Sequence, residues 1–447
     1  MPFLVRLLTT EQYGVYSVFT SWSSLISIFA TLNLHCGVYN NAMFKFSDRR
    51  DSYTSASQSL SATVTVICLA IYLLSTGFWN SLMGMSPDFI FLMFLQILLT
   101  QCYLLWTSRQ RYEYRYVKLL VFTAFLAISN TLVPIVSALI FPQVQRLKAV
   151  IYSGVIVQTS FGIAFMIYNY IKGKCFFNKE FWHYALSFNL PLIPHYLSDM
   201  ILGQADRVMI RRYIGDAEAG IYSFTYNISL VMNIVTSSIN SAIIPYTYNK
   251  LGKRDYKALK LIVNFLILMV GGMCLAFSAI APELFKIVAT EDYYEAIYLV
   301  PVISLSSYFT FLYSMFGNIE FFFEENKFIT AASMIGAIAN IILNYIFIQI
   351  FGYFAAGYTT LFCYIIFSVS HYLFMRKVCK KHIDGDRVYD SRTIFIMSIV
   401  FIIAAFGMMA IYDYPIIRYS LIVIGLIVCI IKRKQIIDKF KMIKERN

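Results

Sequence analysis

The sequence predicts an all-α polytopic membrane protein of about thirteen transmembrane helices, and three observations predict it. Of the 447 residues, 59% are hydrophobic and only 14% are charged, where a soluble domain carries about 25% charge. The apolar residues gather into runs of transmembrane length rather than the half-polar stripes of a surface helix. The basic residues cluster in every second connection between those runs, as short cytoplasmic loops do.

The runs fall at 14–44, 57–79, 87–108, 118–141, 148–171, 183–211, 219–247, 259–281, 294–317, 327–350, 353–375, 393–411 and 414–431. Lys45, Arg49 and Arg50 close the first, and Arg109, Arg111, Arg115 and Lys118 separate the third from the fourth. Phe141-Pro142 ends the fourth, and Lys172, Lys174 and Lys179 follow the fifth. Five basic residues from Lys250 to Lys260 follow the seventh. Lys327 marks the start of the tenth, and Phe351-Gly352 separates the tenth from the eleventh inside a charge-free stretch. Six basic residues from Arg376 to Arg392 lead to the last two runs, and a seven-charge tail ends the chain. Twenty-nine of the 37 basic residues thus lie on one side, which assigns the C-terminus to the cytoplasm. The net charge of +13 is therefore mostly topological, and nucleic acid is not an expected partner.

The chain also reads as built twice. RLLTTEQYGVYS (Arg6–Ser17) matches RYIGDAEAGIYS (Arg212–Ser223) in register, with Gly14 against Gly220 and Tyr16 against Tyr222. Ala127–Asn130 in the fourth run matches Ala337–Asn340 in the tenth, and Arg49–Tyr53 matches Lys253–Tyr256. The offsets agree and span six helices, an even number, so the two copies share one orientation. Parallel repeats of this kind hold substrate between halves that rock to alternate access. The expected organisation is an N-terminal lobe at 1–172, a C-terminal lobe at 180–376, two additional helices at 393–431 and a basic cytoplasmic tail at 432–447. The sixth run opens the second copy. Its counterpart falls largely before residue 1, so the first copy is expected to lack most of its first helix, about 24 residues.

Leu190–Ser223 (LPLIPHYLSDMILGQADRVMIRRYIGDAEAGIYS) and Tyr293–Tyr358 resemble the Wzx-type polysaccharide flippases, as does the opening RLLTTEQYGVYS. These form the polysaccharide transport branch of the multidrug/oligosaccharidyl-lipid/polysaccharide exporter superfamily. The resemblance covers essentially the whole chain. It implies two six-helix lobes plus two helices in a bacterial cytoplasmic membrane. It also implies flipping of undecaprenyl-diphosphate-linked O-antigen or capsule repeat units to the outer leaflet. A proton or sodium ion is the candidate coupling ion, and the polysaccharide polymerase machinery a candidate partner.

Ionisable residues inside a membrane are costly and mark pathways. In the sixth run His195, Asp199 and Asp206 fall within about 40° of one another around a helix, after the bend signals Pro191 and Pro194. This stripe is a candidate cavity lining, with Arg207 available to a diphosphate. The plainer reading leaves Asp206, Arg207, Arg211 and Arg212 as headgroup charge. Tyr226, Asn233, Ser237 and Asn240 share a face of the seventh run, for cavity lining or for helix–helix hydrogen bonds. Asn33, His35 and Asn40 form a looser counterpart in the first run. Glu320, Glu324 and Glu325 are expected at a solvated cytoplasmic helix end.

No motif calls for a cofactor. The eight cysteines are scattered without metal spacing and read as small apolar residues. There is no GxxxxGK[ST] phosphate loop for a nucleotide-driven pump. A membrane glycosyltransferase or polymerase would need a sizeable outer loop, and the outer connections are short. The reading is a transporter rather than an enzyme. A drug/cation antiporter or a lipid II flippase is the alternative.

Overall fold

A computed structural model of the chain describes residues 2–36, 38–323, 325, 327–434 and 437–439. Among the described residues the structure is helical throughout, without strands. Two compact units divide it, Met1–Gly220 and Ile221–Asn447.

The first unit holds α1 (Pro2–Leu7), α2 (Thr10–Thr31), α3 (Val38–Lys45), α4 (Arg50–Leu74), α5 (Thr76–Met83), α6 (Pro87–Tyr112), α7 (Tyr116–Ile140), α8 (Arg146–Gly173), α9 (Lys179–Asn189) and α10 (Ile193–Tyr213). α11 (Asp216–Gly252) leads into the second unit. That unit continues with α12 (Tyr256–Ala279), α13 (Ala281–Val288), α14 (Val300–Phe322), α15 (Lys327–Phe351), α16 (Phe354–His382), α17 (Ser391–Ala410) and α18 (Pro415–Ile431).

Each of the thirteen expected spans is matched by helix. Ten of the described helices are long and apolar enough to cross a membrane. α2 and α10 are long enough but diluted by hydroxyl, amide and charged residues, and α18 has 17 residues. The second span is interrupted near its end, at Ser75 between α4 and α5, and two others are broken further inside. Pro191 and Pro194 lie where the sixth divides into α9 and α10 around a 3-10 turn, Leu190–Leu192, because a proline supplies no N–H to the ladder. The first divides into α2 and α3 where Leu32 and Asn33 take positive φ, 53° and 48°. The sequence reading ran both spans through as single runs.

By packing, α9 and α10 belong to the first unit, although α10 opens the second copy in the repeat. Local packing carries the repeat's signature. A Cβ on Gly14 would overlap the Asp216 carbonyl oxygen, and a Cβ on Gly220 would overlap the Thr10 carbonyl oxygen. Thr10 and Gly14 are the repeat partners of Asp216 and Gly220, so this is one contact read in both directions, a local two-fold. Only glycine admits such a crossing, as between membrane helices generally.

Within the first unit, polar side chains join the apolar helices. Asn169 on α8 donates to Gln58 Oε1 on α4 (2.9 Å) and to the Cys102 carbonyl on α6 (3.0 Å). Ser59 and Tyr170 hydroxyls pair at 2.8 Å, and Gly162 lets α8 sit directly on the Leu99 backbone. The second unit packs α12, α14, α16 and α17 around one apolar core that includes Val270, Tyr308, Leu312 and Phe401. On α13, Glu283 receives the buried Arg418 of α18 and the Tyr419 hydroxyl. Burial pushes the Glu283 carboxyl up, but these donors outweigh it and hold it at about 2. That ties the last helix to the unit.

Candidate functional site

One pocket with a hydroxyl- and amide-bearing lining lies in the first unit, between α2 and α6. It is a cavity of about 220 Å³. α2 contributes Thr20, Ser23, Ser24, Ser27 and Thr31, spaced three and four apart so that they share one helix face. α6 contributes Gln96, Thr100 and Gln101 with Ile97 and Leu104, and His35 enters from the break after α2.

Local chemistry orients these groups. Thr20, Ser24, Ser27 and Thr31 donate to carbonyls three or four residues back, at 2.7–2.9 Å. Their oxygens can still accept, as Thr31 Oγ1 does from the Asn33 N–H at 3.3 Å. His35 Nδ1 lies 3.1 Å from Gln101 Oε1, which has no proton to give, so Nδ1 carries the hydrogen and donates. Gln96 Nε2 donates to Gln158 Oε1 at 2.8 Å. Ser23 Oγ, Gln96 Oε1 and Gln101 Nε2 are buried with no hydrogen-bond partner among the described residues. Buried polar atoms usually find partners, so unmatched atoms on lining residues suit a site for a polar guest. Among the described residues no carboxylate lines the cavity.

α10 packs on α2. Ser21 donates to Gln204 Oε1 at 2.9 Å, and Arg207 donates to the same oxygen and to the Gly203 carbonyl. Arg207 is 4% exposed and Asp206 2%. Both are thus buried against protein, whereas Arg212 is exposed. Arg211 pairs with Asp216 at 2.5 Å, beside the glycine crossing. His195 and Asp199 lie on α10, but their side chains fall outside the described residues. Tyr226, Asn233 and Asn240 belong to the second unit. There Asn318 on α14 donates to Asn240 Oδ1 at 2.8 Å, the helix-joining use of such a stripe. Tyr226 is buried, and Asn233 Oδ1 is buried with no partner among the described residues.

Glu320 corrects the expectation of a solvated end. It is 0% exposed, and both its oxygens lie 3.0–3.1 Å from Nδ1 of His371 on α16, itself 3% exposed. Glu325 does sit near the surface, with Lys381 and His382. Glu324 lies outside the described residues. Among the described residues no cluster of His, Cys, Asp and Glu has the makings of a metal site.

A family model described as "Polysaccharide biosynthesis protein" matches residues 1–249, more than half of the chain. The chain belongs to this polysaccharide biosynthesis family. A second model, MatE, matches residues 191–346 of this family member. With both models the chain stands among the flippases and transporters of the multidrug/oligosaccharidyl-lipid/polysaccharide exporter superfamily. It is 25% identical over 367 residues to the Lsg locus putative protein 1 of Haemophilus influenzae, covering 76% of this chain and 83% of that one. An uncharacterized membrane protein of the same organism is 23% identical over 355 residues, covering 75% and 82%.

Two solved structures share the fold of this family member. One is the lipid II flippase MurJ in an inward closed conformation, with TM-score 0.67 and 14% identity over 96% of this chain and 98% of that one. The other is an inward-facing multidrug resistance MATE family transporter of the MOP superfamily, with TM-score 0.66 and 14% identity over 86% and 94%.

Proposed function

We propose that the protein flips undecaprenyl-diphosphate-linked oligosaccharide repeat units from the inner to the outer leaflet of a bacterial cytoplasmic membrane, for surface polysaccharide. One observation carries the choice of cargo: beside Ile97 and Leu104, the described residues that line the cavity between α2 and α6 are hydroxyls, amides and a histidine. Such a lining meets a neutral, hydroxyl-rich sugar with donors and acceptors. Among the described lining residues an organic cation would find no counter-charge. The cavity is below the roughly 300–1,000 Å³ of drug-sized sites, so it takes a sugar ring rather than a whole repeat unit.

Arg207 supplies the second half of the recognition. A buried guanidinium attracts phosphate more strongly than an exposed one, since water screens it less. The two lobes, at 1–172 and 180–376, alternate access by rocking, while the polyprenyl tail stays in lipid. Asp199 and His195 are the candidates for holding a coupling proton or sodium ion, Tyr226, Asn233 and Asn240 are further cargo-contact candidates within the second unit, and the basic tail is cytoplasmic. A lipid II flippase is the second reading, and it shares the polyprenyl-diphosphate chemistry.

Replacement of Arg207 by Ala tests the reading in cells that depend on this chain for surface polysaccharide. A charge-assisted hydrogen bond is worth about 1.5–3 kcal/mol, so transport should fall roughly 10- to 100-fold while the protein still reaches the membrane. Undiminished polysaccharide with Arg207→Ala would remove Arg207 from cargo recognition.

A further inference from the structure

A second pocket in the first unit, of about 140 Å³, opens between the ends of α4, α6 and α8. Three cations line it: Arg109 in the last turn of α6, Arg115 just after that helix, and Lys172 in the last turn of α8. Arg109 is stapled by Asp51 and Glu113, and Arg115 shares Glu113 at 3.2 Å. Lys172 is exposed and makes no ion pair among the described residues. Three positive charges thus stand against two carboxylates, with Arg115 and Lys172 at the mouth.

The rest of the pocket has the layering of a membrane boundary. Trp106 lies one turn below Arg109 on α6, and Tyr168 lies one turn below Lys172 on α8, with its ring nearly half exposed. Aromatic rings at that depth mark the headgroup level, and the stems of Lys and Arg carry their charges outward from it. Asn169, fixed by Gln58 and Cys102, forms the floor. A soluble anion would use the cations but not the aromatic layer below them. A phospholipid uses both, with its phosphate between Arg115 and Lys172 and its glycerol and first methylenes along Trp106 and Tyr168.

We propose that this pocket binds the phosphate headgroup of an anionic phospholipid in the leaflet on the basic side of the membrane. The site is separate from the cavity between α2 and α6, and its lining shares no residue with it. Basic pockets between transmembrane helices on the cytoplasmic side commonly take such headgroups.

The purified full chain in neutral detergent tests this by its thermal midpoint against added lipid. Phosphatidylglycerol or cardiolipin should raise the midpoint at low mole ratio, and phosphatidylcholine should not. Each basic residue near a membrane surface is worth roughly a fivefold change in lipid affinity, so Arg115→Gln with Lys172→Gln should weaken the response about 25-fold. Lys118→Gln with Lys174→Gln removes the same charge outside the pocket and should leave the response intact. An equal loss in both double variants would overturn the site in favour of diffuse attraction. Inorganic phosphate reproducing the full shift would overturn the lipid assignment.

Discussion

Glu320 and His371 show what one residue's surroundings decide. A carboxylate inside a membrane is tolerated when it is paired, and this one is paired through both oxygens. Removing one partner of a buried pair costs about 3–5 kcal/mol, because the other is left without compensation. Glu320→Ala should therefore lower the thermal midpoint sharply. Glu320→Gln keeps a carbonyl acceptor for His371 and should cost about 1–2 kcal/mol. A Glu320→Ala midpoint equal to that of the unmodified chain would show that the pair contributes nothing. The sequence could not show this contact. FFFEEN sits at the end of an apolar run and reads as a solvated terminus, and His371 is 51 residues away. Asp206 and Arg207 were legible as costly charges in an apolar run, and their burial agrees. The hydroxyl face of α2 was missed, because Thr20, Ser24, Ser27 and Thr31 were absorbed into a run scored only for lacking charge, although their helical spacing was in view.

At the scale of the element, the spans were legible because length and apolar content are local properties. The breaks were only half legible. Prolines 191 and 194 announce the α9–α10 bend, whereas the turn after α2 rests on positive φ at Leu32 and Asn33, and leucine gives no advance sign of that conformation. The glycine crossing gives the element-scale prediction. Gly14→Ala and Gly220→Ala each force a methyl into a backbone carbonyl and should cost about 1–3 kcal/mol. Gly77→Ala, in α5 with open space around it, should be neutral or slightly stabilising. Thermal unfolding of the three variants checks this. A crossing variant as stable as Gly77→Ala would mean that the close contact is absent.

For the whole molecule, duplication and family point the same way. The repeat offset read from twelve residues reappears as a two-fold contact, and the fold matches structures of a lipid II flippase and a multidrug transporter at 14% identity. At that distance the likeness shows the fold alone, so the choice of cargo rests on the lining of the site. A cavity whose described lining bears hydroxyls and amides, in the same unit as a buried arginine, is the physical basis proposed for a sugar diphosphate. The most direct measurement is leaflet exchange in proteoliposomes holding the purified chain and a polyprenyl-diphosphate-linked oligosaccharide, read by a glycosidase added outside. The account predicts that the inner-leaflet sugar becomes cleavable in the presence of the chain, and far more slowly with Arg207→Ala. Sugar that stays protected under both proton and sodium gradients, while the same vesicles move an organic cation, would contradict it.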